Sequence, residues 1–353
     1  MSEKYRLGII GCGSIANLHA DSFRNVDEID VVAISDPVDE ARNEFGERHN
    51  IANRYHEARE MLDKENLRIV IITTWPKLHA PMTAAACARK PYAVICEKPM
   101  AATLGECDEM LTVASRYNVK LAVGHQRRFV STWTTARGLI ASGTIGEPRQ
   151  IVCRGGQGLL NDCSHLIDMM RYVLGDPNAS WVIGNVERKT ERYERDIPIE
   201  DRSAGIIGFD NGCVGLLLQE IAGPNEYGGL IYGSEGMIDL TESRVRVLNS
   251  RSAEWEERQA DDGNPWEAQI RELISWIEEG TEHRGNAKHG RAAIEIIMAI
   301  YESARMHEVV QMPVRTLCSP LELMIESGEL PVERPGRYDI RAFLLRGEER
   351  KSS

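Results

Sequence analysis

The N-terminal segment contains the feature that most constrains the fold. An apolar run leads into Gly11-x-Gly13-x-x-Ala16, which opens a helical stretch, and a second apolar run then closes at Asp36. Gly11 allows a tight turn, Gly13 lets a phosphate approach the backbone, and Ala16 permits close helix–strand packing. The free N–H groups of the helix N-terminus favour an anion. This unit predicts a dinucleotide site in which Asp36 accepts the hydroxyls of the adenosine ribose.

The first third of the chain alternates short apolar runs with helical stretches. The apolar runs suit buried parallel strands and lie at 7–10, 31–35, 69–73, 93–96 and 121–123. The helical stretches lie at 15–24, 37–49, 80–88 and 104–117. The alternation predicts an α/β fold with a doubly wound, Rossmann-type sheet. Such a sheet binds its ligand at the carboxyl ends of its strands.

The alternation stops near residue 125, and the later apolar runs look antiparallel. They lie at 149–154, 181–189, 204–209, 213–220, 229–232 and 244–248. Between two of them, Asp210-Asn211-Gly212 is typical of a tight hairpin turn. Helical stretches follow at 165–174, 265–279 and 290–307. We therefore expect a Rossmann domain over residues 1–124 and, over 125–353, an α+β domain with an open, largely antiparallel sheet.

Composition narrows the class of protein. A chain of 353 residues favours two domains. Its net charge of −12 gives no electrostatic footprint for nucleic acid or an anionic membrane. No apolar run approaches the roughly 20 residues of a membrane helix, and no basic and apolar leader precedes the first strand. The eight cysteines show no CxxC pair or zinc-finger spacing. We expect a soluble, cytoplasmic protein without a metal site.

Several residues follow directly after the predicted strands of the first domain. Because the carboxyl ends of parallel strands meet at one edge, we expect these residues to line the ligand crevice together with the glycine turn. The candidate cofactor-binding residues are Gly11, Gly13, Ser14, Ile15, Asp36, Thr74, Trp75, His79, Glu97, Lys98 and Gln126.

The Glu97-Lys98-Pro99 element resembles a signature of the glucose–fructose oxidoreductase, inositol dehydrogenase and MocA family (Gfo/Idh/MocA). The resemblance covers nearly the whole chain and includes residues 11–16, 74–79, 96–100, 124–129, 161–168 and 299–304. Members are mostly NAD(P)-dependent oxidoreductases of sugars, polyols and inositols. The resemblance therefore implies a dehydrogenase that acts on CH–OH groups and takes a carbohydrate-like substrate. It also implies a homodimer or homotetramer assembled through the C-terminal sheet.

Oxidation of a secondary alcohol releases a hydride from carbon and a proton from oxygen. Lys98 lies at a strand end, where its ammonium can stabilise a developing alkoxide. His165 is the candidate acid–base group, because its ordinary pKa of about 6.5 suits proton transfer near neutrality. The structural alternatives are a surface lysine paired with Glu97 and a buried histidine at a helix start.

The chain departs from the family pattern four residues before His165. Family members usually carry an aspartate there, whereas this chain has Asn161, followed by Asp162. Since positions i and i+4 share a helix face, we expect Asn161 to face the substrate and Asp162 to point partly away. Three interpretations stay open: Asp162 supplies the carboxylate, His165 and Lys98 suffice, or the chemistry is altered. The candidate catalytic residues are Lys98, His165, Asn161 and Asp162.

Two further side chains have open roles. Of Arg127 and Arg128, one is interpreted as a structural anchor and the other as a contact to substrate oxygens or phosphate. Asp168, one turn after His165, either orients that histidine or forms a helix cap or a salt bridge with Arg171. The candidate substrate-binding residues are Arg128, Asn161 and His165.

Asp36 also favours NAD over NADP, because its carboxylate accepts from a free 2′-hydroxyl and repels a 2′-phosphate. Arg42, a turn beyond, could still accommodate that phosphate. Two other classes of function stay open. One is a lyase or glycosidase that oxidises its substrate transiently and retains NAD. The other is a sensor that binds a dinucleotide without chemistry, which Lys98 and His165 argue against and Asn161 keeps open.

Overall fold

The computed structural model describes residues 4–219, 227–252, 254–261 and 263–341. These residues form two compact units. The first contains the described residues of 4–126, 266–290 and 340–341, and the second contains those of 127–265 and 291–339. The first division lies two residues from the boundary expected at 124.

The first unit is built around a six-stranded parallel sheet with the order β3-β2-β1-β4-β5-β6. Its strands are β1 (Tyr5–Ile10), β2 (Ile29–Ser35), β3 (Asn53–Tyr55), β4 (Ile69–Ile72), β5 (Ala93–Cys96) and β6 (Lys120–Val123). Its helices are α1 (Ser14–Phe23), α2 (Asp39–Arg48), α3 (Ala58–Lys64), α4 (His79–Cys87) and α5 (Leu104–Tyr117). Strands β4 and β5 are buried at every position, as expected for a sheet covered by helices on both faces. The predicted Rossmann-type sheet is confirmed.

The second unit contains a nine-stranded sheet with the order β16-β15-β14-β13-β7-β12-β11-β8-β17, and a small sheet with the order β10-β9-β18. The strands are β7 (Pro148–Arg154), β8 (Ala179–Glu187), β9 (Thr190–Glu194), β10 (Ile197–Pro198), β11 (Arg202–Phe209), β12 (Val214–Leu218), β13 (Gly228–Gly233), β14 (Gly236–Thr241), β15 (Val245–Asn249), β16 (Glu256–Arg258), β17 (Val310–Gln311) and β18 (Arg334–Asp339). In the large sheet the β7–β12 pair is parallel and the other described pairs are antiparallel. The expected open, largely antiparallel sheet is confirmed.

The hairpin predicted at Asp210-Asn211-Gly212 joins β11 to β12, which pair antiparallel. Gly212 has φ +82°, a left-handed conformation that glycine adopts without a steric cost. Its N–H donates to the Phe209 carbonyl at 3.0 Å and closes the turn.

Five helices follow β6 in the described part of the chain. They are α6 (Ser131–Ala141), α7 (Cys163–Val173), α8 (Pro265–Glu278), α9 (Ala287–Met306) and α10 (Pro320–Glu326). Residues 266–290, expected in the C-terminal domain, belong to the first unit. The physical reason is that Ile270, Leu273 and Ile274, spaced along one face of α8, join the apolar core of that unit. No described helix is long and apolar enough to cross a membrane.

A close approach between β8 and α9 gives a first prediction. A Cβ at Gly184 would lie 2.5 Å from the carbonyl oxygen of Ile300 and 2.7 Å from its Cα. Because backbone atoms cannot turn away, we expect Gly184→Ala to destabilise the protein by about 1–3 kcal/mol. Unfolding by urea, followed by circular dichroism, measures the effect.

The matched control is Gly138→Ala in α6. A Cβ there meets nothing within 4 Å, so removing a helix-interior glycine should stabilise the protein by about 0.5–1 kcal/mol. Equal stability of Gly184→Ala and the unaltered protein would show that β8 and α9 do not approach this closely.

Candidate functional site

The glycine turn after β1 has one position that requires glycine and one that leaves open space. Gly11 has φ +99°, and a Cβ there would lie 2.9 Å from the Thr73 carbonyl oxygen. The Gly11 N–H donates to the Ser35 carbonyl at 2.8 Å, so the turn is tied to the end of β2. At Gly13, by contrast, φ is −79° and a Cβ would meet nothing within 4 Å. The backbone at Gly13 is therefore open to an approaching group.

The start of α1 and the end of β2 suit the pyrophosphate and the adenosine ribose of an adenine dinucleotide. Gly13 is the N-cap of α1, and no side chain caps that end. Its first N–H groups therefore suit a phosphate. The Asp36 carboxylate accepts from the N–H of Cys12 and of Val38, each at 2.8 Å. Two oxygens offer about four lone pairs, so Asp36 can also accept from ribose hydroxyls.

Arg42 lies beside this acid and is already engaged. Its Nη1 donates to the Asp36 carbonyl oxygen at 2.6 Å, and its Nη2 pairs with Asp39. The side chain that could have favoured a 2′-phosphate is thus held by two acceptors of the same segment.

The loops after β4 and β5 are fastened together by a buried histidine. His79, the first residue of α4, places Nδ1 2.8 Å from the Pro99 carbonyl oxygen and Nε2 3.0 Å from that of Thr74. Burial lowers the pKa of this imidazole, although both carbonyls oppose the shift. His79 therefore braces Thr74 and the neighbouring Trp75 against the segment that follows Lys98.

Glu97 is a buried residue and not part of a surface pair. Its Oε1 lies 2.8 Å from Nε2 of His19 on α1, and its Oε2 accepts from the Lys98 N–H at 3.2 Å. Burial opposes ionisation of Glu97, but the hydrogen bond and charge of His19 and the charge of Lys98 hold its pKa below the ordinary value. Room for this carboxylate exists because residue 124 is glycine, where a Cβ would lie 2.5 Å from Oε1.

These contacts bring most of the predicted cofactor residues of the first unit to the carboxyl edge of one sheet. Gly11, Gly13, Asp36, Thr74, Lys98 and Gln126 all follow its strands directly or by a few residues. Trp266, which the sequence analysis did not single out, stands edge-on to the His19 ring at 4.6 Å between centroids. Trp266 and His19 are far apart in the sequence, so no local pattern could predict their contact.

In the second unit, Asn161 and His165 do not lie on one continuous α-helix. Residues Gly158–Asp162 form a π-helical turn, and α7 begins at Cys163. The regular i, i+4 relation expected between Asn161 and His165 is broken by this wider turn. Asn161, Asp162 and His165 are all buried.

Asp162 and His165 share a neighbour that the sequence analysis missed. The Asp162 carboxylate accepts from the Tyr227 hydroxyl and, through Oδ2, from the Gln157 N–H at 3.2 Å. The rings of His165 and Tyr227 stand at 87°, with centroids 6.0 Å apart. The guanidinium of Arg127 lies 3.7 Å from the centroid of the same tyrosine ring.

The π-helical turn is held from another side by a buried acid. Glu200 accepts from the Leu159 N–H at 2.7 Å and from the Tyr301 hydroxyl at 2.6 Å. Burial raises the pKa of Glu200, against the effect of both hydrogen bonds. The turn that carries Asn161 is therefore fixed by a carboxylate from the segment before β11.

Arg128 is a structural anchor and not the predicted substrate contact. Its side chain is fully buried, and its Nε and Nη2 donate to Asp168 at 2.8 and 2.7 Å. Nη2 also lies 2.8 Å from Asp176. A guanidinium enclosed by two carboxylates in the protein interior has little left to offer a ligand. Asp168 thus pairs with Arg128, a partner that neither sequence-based suggestion had named.

The chain belongs to the Gfo/Idh/MocA oxidoreductase family. The family profile described as "Oxidoreductase family, NAD-binding Rossmann fold" matches residues 5–125. The profile described as "Oxidoreductase family, C-terminal alpha/beta domain" matches residues 149–312. The resemblance predicted from the sequence is confirmed, and so is the prediction of an NAD(P)-dependent oxidoreductase.

Curated relatives and solved structures agree with this assignment. Myo-inositol 2-dehydrogenase of Thermotoga maritima is 28% identical over 257 residues, which cover 69% of this chain and 74% of that protein. D-apiose dehydrogenase of Paraburkholderia graminis is 22% identical over 361 residues, 92% of this chain and 94% of that protein. A structure of levoglucosan dehydrogenase in complex with NADH has the same fold, with a TM-score of 0.79 and 21% identity over 88% of this chain and 100% of that chain.

The two glycines of the turn give a second prediction. Because Gly13 has an ordinary φ and open space around it, Gly13→Ala should leave the free energy of unfolding unchanged. It should weaken NADH binding about tenfold or more, because the new Cβ enters the space where a phosphate approaches. Fluorescence titration with NADH measures the affinity.

Gly11→Ala, in contrast, should lower the free energy of unfolding of the protein without cofactor. Its left-handed φ and the contact with Thr73 should destabilise the protein by about 1–3 kcal/mol. If Gly13→Ala binds NADH as tightly as the unaltered protein, the open space at Gly13 is not a phosphate site.

Proposed function

We propose that this protein oxidises a secondary alcohol of a sugar, polyol, inositol or sugar derivative, with NAD as the hydride acceptor. The observation that carries the proposal is the set of residues at one edge of the parallel sheet: the open Gly13 backbone, Asp36 at the end of β2, and Lys98 directly after β5 and Glu97. The inositol, apiose and levoglucosan dehydrogenases named above support this substrate class.

Bound NAD supplies the carbon-bound hydride acceptor, and the chain's own residues manage the charge and the proton. Lys98 offers an ammonium that stabilises negative charge on the substrate oxygen as it forms. The ionised carboxylate of Glu97 beside it favours that cationic form. His165, an imidazole on α7, accepts the hydroxyl proton. Asn161 can hold a substrate hydroxyl through its amide but cannot take its proton.

The direct test is a screen of inositols, hexoses and sugar acids with NAD, in which NADH formation is followed by absorbance. Net NADH production at the expense of one of these alcohols supports the dehydrogenase. Turnover without net NADH, with NAD retained on the protein, would instead favour the lyase or glycosidase. Tight NADH binding without turnover of any substrate would favour the sensor.

The choice of NAD over NADP rests on the position of Asp36. Its two oxygens already order the backbone at Cys12 and Val38, so the carboxylate is fixed where a ribose would bind. We predict tighter binding of NADH than of NADPH, and a smaller difference in Asp36→Ala, because that variant no longer repels a 2′-phosphate. Fluorescence titration with both nucleotides measures the ratio.

The control for that experiment is Glu40→Ala, which removes an exposed acid from the first turn of α2. It should change the ratio of the two affinities less than Asp36→Ala does. Equal affinities for NADH and NADPH in the unaltered protein would contradict the proposal of NAD specificity.

Lys98 carries a prediction on the rate. Loss of one electrostatic contact to a developing oxyanion typically costs about 10²–10³ in rate, so Lys98→Ala should lose that much kcat while still binding NADH. Lys77→Ala, which removes an exposed lysine from the loop after β4, should keep normal kcat. A Lys98→Ala enzyme with more than about half of the normal turnover would show that Lys98 is structural.

We also propose that the protein assembles as a homodimer or homotetramer through the outer face of its nine-stranded sheet. Four apolar side chains, on β8, β11, β12 and β13, are exposed there by 36–41%: Ile183, Ile206, Leu218 and Tyr232. Ile206 lies directly opposite Ile183, while the next residue of β11, Ile207, is fully buried. Exposed apolar side chains on one sheet face can pack against the same face of a second copy, as a two-fold symmetric contact requires.

The oligomer prediction compares two exposed apolar residues. Ile206→Glu places a charge in the middle of the proposed contact and should convert the oligomer to a monomer. Leu317→Glu, at a position outside the sheet that is 55% exposed, should leave the assembly intact. Size-exclusion chromatography with light scattering measures both masses. A monomeric unaltered protein would refute the contact.

A further inference from the structure

Tyr227 contacts both residues around which the proton chemistry of the second unit is proposed. Its hydroxyl donates to the buried carboxylate of Asp162, and its ring stands perpendicular to the His165 imidazole at 6.0 Å between centroids. Asp162 is the last residue of the π-helical turn, and His165 lies in the first turn of α7. One side chain from the position before β13 therefore spans the junction of these two elements.

The Tyr227 ring is covered by an arginine that is itself held in an ion pair. The Arg127 guanidinium lies over its ring, 3.7 Å from the centroid, which is within the distance of a strong cation–π contact. Arg127 in turn donates through Nε to Oε1 of Glu242 at 2.6 Å. The guanidinium cannot easily leave the ring while that pair holds it. The tyrosine thus has little freedom to rotate away from its two neighbours.

The chemistry of the contact favours a stable donor. Burial, followed by the charge and hydrogen bond of Asp162, raises the pKa of Tyr227 well above its ordinary value. The phenol therefore stays protonated and donates to Asp162 throughout the neutral range. Together with the Gln157 N–H, it gives the carboxylate two donors and a defined orientation.

We propose that Tyr227 is a positioning residue, which orients Asp162 through its hydroxyl and holds the His165 imidazole through its ring. The proposal rests on the proposed function, in which His165 accepts the substrate proton. It assigns Asp162 to the support of the turn before α7 and not to direct proton transfer. It also gives Arg127, the first of the two arginines after β6, the role of holding the tyrosine ring.

A double-mutant cycle tests the hydroxyl contact. Tyr227→Phe keeps the ring beside His165 and under Arg127 but removes the donor to Asp162. Because small displacements of a reacting group reduce rates strongly, we expect a loss of kcat on the order of tenfold with little change in KM. Asp162→Asn should lose a similar factor. The double variant should be no slower than the slower single variant, since both changes remove one interaction.

Tyr227→Leu tests the ring contact and should lose about a further tenfold in kcat, because the imidazole is then no longer held. The reference variant is His165→Ala, whose kcat should be severely reduced. The matched control is Tyr172→Phe. That buried tyrosine of α7 also lies beside arginines, with Arg137 at 4.7 Å from its ring centroid, but its hydroxyl faces Thr134 at 3.4 Å. Its kcat should stay within twofold of normal.

Two measurements without substrate separate this proposal from the proposed function. In urea unfolding, the effects of Tyr227→Phe and Asp162→Asn should be non-additive. In NMR spectra of histidine-labelled protein, Tyr227→Leu should move the His165 ring signals by removing a ring current, while Tyr172→Phe should not. His165→Ala assigns those signals.

Failure of the proposed function and failure of the positioning role give different results in these experiments. If no alcohol in the screen yields NADH, the proposed function fails, and the stability cycle and the NMR spectra still decide whether Tyr227 holds its two neighbours. Additive effects in the cycle, an unmoved His165 signal in Tyr227→Leu, or normal kcat in Tyr227→Phe would each overturn the positioning role.

Discussion

Helix α7 is buried at every one of its positions, although it carries His165, Asp168 and Arg171. A charge in the protein interior is tolerated only when it is paired, because its desolvation costs several kcal/mol. Asp168 is paired by the guanidinium of Arg128, and Arg171 donates to the Pro177 carbonyl at 3.1 Å. These contacts fix the rotation of α7 and, with it, the direction in which His165 is presented.

The same requirement governs the turn that precedes α7. Its backbone widens to a π-helical turn, which places the Leu159 N–H against the buried carboxylate of Glu200. At the other end of the turn, Asp162 is held by Tyr227 and the Gln157 N–H. The substitution of Asn161 for the aspartate usual in the family thus occurs in a segment whose neighbouring acid is engaged by its own donors. Both acids beside this turn, Glu200 and Asp162, are thus held by donors of the protein itself.

The first unit uses a buried acid in a comparable way. Glu97 lies in the space left by Gly124 and joins His19 of helix α1 to the backbone of Lys98. A displacement of α1 would therefore also displace Lys98, the residue proposed to stabilise the alkoxide. The ionised state of Glu97 is maintained by its partners against the effect of burial, so the contact also keeps a negative charge beside the lysine.

Several elements follow from the sequence because their causes are local. Helix α5 begins and ends where predicted, since Thr103 and Glu106 form a capping box and Asn118 adopts a left-handed conformation after its last turn. The Gly11 turn and the hairpin at 210–212 are set by glycines with positive φ. By contrast, β3 consists of Asn-Arg-Tyr, which has no apolar run to reveal it. The predicted strands and turn residues depend on neighbours within about ten positions, which the sequence displays directly.

The partners of the buried polar groups were decided only by tertiary structure. Arg128 pairs with a residue 40 positions away, and Glu97 with one 78 positions away. Tyr227 reaches Asp162 from the position before β13, and α8 packs into the first unit although it follows β16 of the second unit. Periodicity and motif spacing determine which residues are buried and where strands end. They do not determine which acid meets which donor, because that choice depends on the packing of distant segments and on the free energy of leaving a buried charge unpaired.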